Sequence, residues 1–268
     1  MFAMMNEAKT PRRPAAARYR APAVLKAFRL LEAVAAARGA VTLSELARRL
    51  GYSKGTLHGL IGALLDCEAL CESPRGRGYA IGPAVVELAF RSRNFFRIVE
   101  QAQPVLDGLR DRIGETVCLG VLSRTRGLIV ATAEAAKPLK ISAPPGTSIP
   151  LLAGAVGKVF LAGLPRARAL ALIREQGLLA YTPQAITDRR RYLEELEAVR
   201  RRGFAVDREE YLPGVRAVAV ALGSPAGLPL ALWVVGLAET MDEPALETIA
   251  AEMQGAARRL QEILARNE

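Results

Sequence analysis

Residues 42–67 read TLSELARRLGYSKGTLHGLIGALLDC. Thr42 stands three positions before Glu45, the spacing at which each side chain satisfies the other's orphan backbone donor at a helix start. The helix so opened turns Leu43, Leu46, Ala47 and Leu50 inward. Gly51 breaks it, Tyr52 carries the turn, and Ser53 caps a second helix from Lys54 to about Cys67. That helix buries Leu57, Leu60, Ile61, Leu64 and Leu65. Two short helices about a tight glycine turn, the second opening on small polar and basic residues, form a helix-turn-helix.

The flanks extend this unit. Upstream, Val24, Leu25, Phe28, Leu31 and Val34 recur at helical spacing between Pro22 and Arg38, with Gly39 as the terminator. Downstream, Leu70–Glu72 and Tyr79–Ile81 are expected to form a hairpin with Pro74-Arg75-Gly76-Arg77-Gly78 at its tip. Three helices and a basic-tipped hairpin make a winged helix-turn-helix. One helix enters the major groove while Arg75 and Arg77 reach phosphates or the minor groove.

Charge supports the division. The chain has 268 residues and a net charge of +10. Residues 1–97 hold 16 Lys/Arg against 7 Asp/Glu, whereas residues 98–268 hold 21 against 20. A basic module joined to a neutral one implies a polyanionic partner for the first. Residues 1–21 read as a flexible basic arm, and +5 remains over residues 22–97 without it. An apolar fraction of 51% excludes disorder throughout. The three cysteines, Cys67, Cys71 and Cys118, suit a reducing cytoplasm rather than a disulfide scaffold. No secretory signal is read at the start. Ala217–Ala238 runs 22 residues without a charge, but Gly223-Ser224-Pro225-Ala226-Gly227 and Pro229 divide it into two buried strands rather than a membrane span.

Beyond the hairpin, a linker helix is expected from Ala84 to Phe96, within a linker region 83–97, and a further helix over Ile98–Ile113. Strands are read at Thr116–Leu122, Leu128–Thr132, Lys140–Ser142, Phe204–Asp207, Val215–Leu222 and Leu230–Val235. Helices are read at Leu151–Gly163, Ala167–Glu175 and Asp188–Arg201, the last capped by Thr187, and from Asp242 to about Arg266. This pattern is α+β.

Motifs for catalysis are incomplete. Gly154-Ala155-Val156-Gly157-Lys158 resembles a phosphate loop, but Leu152 replaces its first glycine and Val159 its magnesium-binding hydroxyl. His58 is the only histidine, so residues 98–268 hold no base for a His-based triad. At its place His58 fits a base or phosphate contact, and a half-buried helix histidine fits equally. With Cys67 and Cys71 it offers three ligands at most, too few for a structural zinc site. Asp207, Glu209 and Glu210 form an acidic knot whose ordinary role is to accept from backbone and arginine. No catalytic residue, metal or cofactor is assigned.

The order of short motifs resembles the IclR family of bacterial transcriptional regulators over about residues 22–266. The resemblance rests on Leu43-Ser44-Glu45-Leu46-Ala47, Gly51-Tyr52-Ser53-Lys54-Gly55-Thr56-Leu57-His58 and Gly78-Tyr79-Ala80-Ile81-Gly82. It continues in Gly114-Glu115-Thr116-Val117, Gly157-Lys158, Thr182-Pro183, Ile186-Thr187-Asp188, Gly203-Phe204-Ala205-Val206-Asp207 and Gly214-Val215-Arg216. It implies an N-terminal winged helix-turn-helix DNA-binding domain over 22–82. A linker helix then leads to a GAF-like α+β effector-binding and oligomerisation domain over 98–268.

The resemblance implies a sequence-specific regulator that reads a palindromic operator as a homodimer or dimer of dimers. Ser53, Lys54, Thr56 and His58, with Arg75 and Arg77 on the wing, become the DNA-binding residues. Gly59 departs from the arginine common after that histidine. Ile141, Ile149, Ala155, Val156, Asp207, Ala217, Trp233 and Val235 become the effector-binding set. Ala217 replaces a common cysteine, and Trp233 and Val235 replace hydroxyl residues. These departures point to a larger, apolar or aromatic effector in place of a small keto acid, or to a pocket filled by Trp233 itself. Two other classes remain open: a ligand-converting enzyme with a GAF-like domain, and a non-specific nucleic-acid binder.

Overall fold

The computed structural model describes residues 21–37, 39–74, 78–91, 93–123 and 126–266. The arm read over 1–21 lies outside these residues but for Ala21, as do Arg75 and Arg77. The chain divides into two compact units, one ending at Ser92 and the other beginning at Arg93.

The first unit begins with helices α1 (Pro22–Ala35), α2 (Leu43–Leu50) and α3 (Lys54–Asp66). The hairpin β1 (Leu70–Glu72) and β2 (Tyr79–Ile81) follows, and then α4 (Pro83–Arg91). The capping box forms as read: Glu45 N donates to Thr42 Oγ1 at 3.3 Å, and Thr42 N donates to Glu45 Oε2 at 3.0 Å. Gly51 ends α2 at φ +67°, a left-handed value that favours glycine. The hairpin pairs Leu70 with Ile81 and Glu72 with Tyr79, and Val41 bridges to Tyr79. Leu30, Val34, Leu46, Leu57, Ile61, Leu64 and Leu70 form the core.

One reading needs correction here. Helix α1 forms, but Val24, Leu25 and Phe28 are exposed, Phe28 by 65%, while Leu30 and Val34 are buried. The helix is apolar on more than one side, so its period was legible and its inward phase was not.

The second unit opens with α5 (Arg93–Ile113). It includes residues 93–96, read as the end of the linker helix, while Ser92, between α4 and α5, lies outside the described residues. A six-stranded antiparallel sheet runs in the order β5-β4-β3-β8-β7-β6. Its members are β3 (Thr116–Leu122), β4 (Arg126–Ala133), β5 (Ser148–Pro150), β6 (Ala205–Arg208), β7 (Val215–Gly223) and β8 (Leu230–Leu237). Three helices, α6 (Gly154–Ala162), α7 (Arg166–Gln176) and α8 (Arg189–Arg202), lie between β5 and β6, and α9 (Glu243–Ala265) closes the order.

Strand alternation separates two cores. Val117, Leu119, Val218, Val220, Leu232 and Val234 pack with Leu106 and Leu109 of α5 and with Met253 and Leu260 of α9. Cys118, Ala217, Ala219, Ala231 and Trp233 pack with Ala155, Val156 and Val159 of α6. Burial pushes the Cys118 thiol up to about 12, leaving it inert.

The expected strand at Lys140–Ser142 is absent. Pro138, Pro144 and Pro145 bracket that segment and interrupt donor spacing. Hydroxyls hold it instead: Thr116 Oγ1 donates to the Ile141 carbonyl at 2.7 Å and Thr132 Oγ1 to that of Ala143 at 2.6 Å. The strand forms later, as β5, where Ser148 pairs with Leu128. The cap of α8 is likewise Asp188, which accepts from Arg191 N at 2.8 Å, rather than Thr187.

Helix α6 lies close to the turn before it. A Cβ on Gly157 would fall 1.4 Å from the Leu151 carbonyl oxygen. Gly157→Ala is therefore expected to cost several kcal/mol, above the roughly 4–5 kcal/mol that marks exceptional substitutions. Urea unfolding of the variant checks this through its midpoint.

Candidate functional site

In the first unit, α3 presents a polar face. Ser53 Oγ accepts from Thr56 N at 3.2 Å and lies 3.0 Å from Thr56 Oγ1, so both hydroxyls secure the helix start. Lys54 and His58, four residues apart, are exposed on the same face. A Cβ added at Gly55, Gly59 or Gly62 meets nothing within 4 Å, so the backbone itself is open to a close partner. Arg48 and Arg49 are exposed in the last turn of α2 and add positive charge. Sequence reading passed over them because charged residues on a helix surface carry no distinctive spacing.

In the second unit, the α6 side of the sheet lines a partly open cavity of about 210 Å³. Ile141, Ile149, Ala155, Val156, Asp207, Ala217, Trp233 and Val235 all line it, so the structure brings the whole carried-over set together. Ser142, Thr147, Ser148, Tyr211, Leu212 and Val215 line it as well. Ser142 comes from the segment that sequence reading gave a strand conformation, whereas Thr147 and Ser148 lie beyond it, Ser148 on β5. Tyr211 and Leu212 come from the loop after β6, where no motif marked them. Trp233 packs on the sheet: a Cβ at Gly120 would lie 2.5 Å from its ring, so glycine there admits the indole. The indole does not fill the space.

The loop between β6 and β7 is held by charge. Lys158 is 1% exposed. Its Nζ donates to the Val206 carbonyl at 2.9 Å and to Glu210 Oε1, and lies 4.0 Å from Glu195 Oε1. The phosphate-loop lysine of the sequence is thus an internal tie. Thr182 Oγ1 donates to the Glu209 carbonyl at 2.7 Å, and Glu209 Oε2 accepts from Gly214 N at 2.9 Å. Glu209 and Glu210 therefore serve separate partners, the acceptor role expected of the acidic knot.

Asp207 is 6% exposed. Its Oδ1 accepts from Glu210 N at 2.6 Å. Its Oδ2 lies against the first residue of α6, since a Cβ on Gly154 would be 2.2 Å away. Ala153, the cap of that helix, has no side-chain acceptor, so Asp207 supplies the negative charge a helix start favours. Burial nonetheless pushes its carboxyl up to about 6, reinforced by the charge of Glu210 and opposed by the Glu210 N–H and Lys158.

A winged helix-turn-helix unit followed by an α+β unit with a partly open, largely apolar cavity defines an effector-responsive DNA-binding transcriptional regulator. Residues 93–262 match the family described as bacterial transcriptional regulator IclR C-terminal, and residues 23–70 match the IclR helix-turn-helix domain. The chain belongs to the IclR family of bacterial transcriptional regulators. It is 31% identical over 226 residues to the transcriptional repressor IclR of Escherichia coli K12, covering 80% of this chain and 81% of that one. An IclR transcriptional regulator from Silicibacter sp. TM1040 superposes with a TM-score of 0.80 at 26% identity, over 90% of this chain and 96% of that one. An IclR homolog from Microbacterium hydrocarbonoxydans, complexed with 4-hydroxybenzoate, shares the fold at TM-score 0.75 and 22% identity, over 91% and 100% of the two chains. Among the described residues no helix is long and apolar enough to cross a membrane.

The raised Asp207 pKa has a defined consequence for stability. Between its ordinary value of 3.8 and about 6 the folded chain holds a proton that the unfolded chain has released. Stability from this group is therefore full below 3.8 and falls as pH rises through about 6. Asp207→Asn, which keeps an acceptor for Glu210 N, is expected to stabilise the chain at pH 8 by about 2–3 kcal/mol. The gain should shrink toward pH 4, as read by urea unfolding across that range.

Proposed function

We propose that the chain is a cytoplasmic, homo-oligomeric operator-binding protein whose DNA affinity is set by a small apolar or aromatic effector in the cavity. In this reading residues 22–82 hold the DNA-reading machinery, the region 83–97 transmits, and residues 98–268 sense. The observation that carries it is the convergence of all eight expected residues on one cavity in a chain whose other unit exposes Lys54 and His58.

Lys54 and His58 read bases or phosphates, Ser53 and Thr56 fix the start of α3 and offer hydroxyls to the backbone, and Arg75 and Arg77 contact DNA from the wing. A dimer places two such helices about 34 Å apart and so reads an inverted repeat. A dimer of dimers pairs two such repeats. The cavity, at about 210 Å³, is smaller than the ~300–1,000 Å³ of drug-sized sites and suits a single ring or a short branched chain. The Microbacterium homolog's 4-hydroxybenzoate, a single-ring ligand, supports that size class. In this reading the sensing unit binds its effector without turning it over, in keeping with the chain's only histidine, His58, lying outside it.

Selection of genomic fragments on the purified protein at about 150 mM salt tests the DNA side, since that salt suppresses counterion-driven binding. A single enriched inverted repeat is expected; uniform capture overturns sequence-specific reading.

Ligand control requires that the effector bind the DNA-competent and incompetent arrangements differently. Helix α4 belongs to the last residues of the first unit, and its Leu88 is 69% exposed, so a proline there breaks the helix without emptying a core. Leu88→Pro is expected to keep ligand binding, read by Trp233 fluorescence, and to lose the ligand's effect on operator affinity, read by anisotropy. An unchanged ligand effect overturns the role of α4.

A further inference from the structure

Among the described lining residues of the cavity, Ser142, Thr147 and Ser148 are exposed and Tyr211 is half-buried. Ser142 Oγ already donates to Glu134 Oε1 at 2.5 Å. Only two buried side chains of that lining carry polar atoms, Asp207 and Trp233. Asp207 brings acceptors, and its Oδ1 takes the N–H of Glu210. Trp233 brings a donor, the indole N–H. The indole reaches from β8 across β3. A Cβ at Gly120 would lie 2.5 Å from its Cη2 and 2.7 Å from its Cζ3, so the far edge of the ring rests over that glycine. Its strand neighbours, Cys118 and Ala219, are small.

Trp233 is 2% exposed. A tryptophan so buried ordinarily finds an acceptor for its N–H. Here Nε1 donates to no atom among the described residues. Nor is it one of the orphan atoms shut away from solvent, which are Tyr52 Oη, Glu115 Oε2, Tyr192 Oη and Arg216 Nε. The N–H is therefore unspent, and it is reached from the cavity that the indole lines.

We infer that the Trp233 Nε1–H is the donor by which this cavity recognises its effector, and that the effector carries an acceptor oxygen, such as a carbonyl, on an apolar body. The inference rests on the reading of the cavity as the effector site and names the group that site grips. A hydroxyl donor rotates and can also accept, whereas an indole N–H only donates, in the direction its packed ring fixes. Contact with Gly120 sets that direction, and Ile129, Val156 and Val235 receive the apolar body. A hydrocarbon that displaces water from this N–H leaves it unpaired, which lowers affinity.

The test uses pairs in which C=CH2 replaces C=O: acetophenone with α-methylstyrene, cyclohexanone with methylenecyclohexane, and 3-methyl-2-butanone with 2,3-dimethyl-1-butene. Trp233 is the chain's only tryptophan, so the full-length protein labelled with nitrogen-15 gives a single indole N–H resonance. Ketones are expected to move that proton downfield and their hydrocarbon partners are not, the two aliphatic pairs being free of ligand ring currents. Calorimetry supplies the affinities. In Trp233→Phe the ketone is expected to lose about tenfold in affinity relative to its partner, the scale of one hydrogen bond to a buried donor. The resonance in the unaltered chain decides alone if the variant does not fold. A ketone that binds without moving the resonance, or that moves it no more than its partner does, overturns the inference and leaves the effector reading standing. Equal weakening of both members of a pair in Trp233→Phe also overturns it. Failure of every member of every pair to bind overturns the effector reading and the inference together.

Discussion

Side-chain size on the two faces of one sheet governs the second unit. Along β7 and β8, Val218, Val220, Leu232 and Val234 face α5 and α9, whereas Ala217, Ala219, Ala231 and Trp233 face α6. Branched side chains fill their side to close packing. Alanines on the other side leave volume, and the indole of Trp233, opposite Ala219 in the register, takes only part of it. A one-residue slip would exchange the faces, closing the cavity and hollowing the opposite core. The cavity is thus a product of strand register, formed as the sheet forms.

The rim of that cavity is organised by polar groups that cost stability. Lys158 and Glu210 are withdrawn from water together, and such a pair contributes less to stability than to fixing position. It fixes the loop that brings Tyr211 and Leu212 over the cavity. Asp207, one strand end away, is a carboxyl held where burial disfavours its charge. Apolar cores surround this cluster on both sides, so the fold tolerates the local penalty. Concentrated penalties of this kind accompany binding sites more often than scaffolding.

The helix-turn-helix was legible because its determinants are local. A capping box, one left-handed glycine and a capping serine act within a few residues, and each forms as the spacing implies. Strands β3, β7 and β8 were legible for the same reason, through long apolar runs bounded by glycine and proline. What failed depended on partners distant in sequence. The inward phase of α1 is set by α2, α3 and the hairpin, and its own pattern is apolar on too many sides to choose. The segment 140–143 joins no ladder, and the Ile141 and Ala143 carbonyls accept instead from threonine hydroxyls on β3 and β4. The eight cavity residues were carried over from a family resemblance, and spacing alone would not have joined Ile141 to Trp233. Tyr211 and Leu212 had no such guide, since a loop residue's neighbours are decided by the tie at Lys158.

The bare outer face of α3 has a consequence for how such a protein diverges. Its inner face, Leu57, Ile61 and Leu64, bears the packing, while the positions of Gly55, Gly59 and Gly62 open onto unoccupied space. Side chains can be gained there without disturbing any neighbour, and each replacement of a helical glycine relieves roughly 0.5–1 kcal/mol of backbone entropy cost. New base contacts in this helix therefore arrive with a gain in stability rather than a loss. The operator preference of a duplicated copy is free to drift through these positions while core and cavity stay under their own constraints.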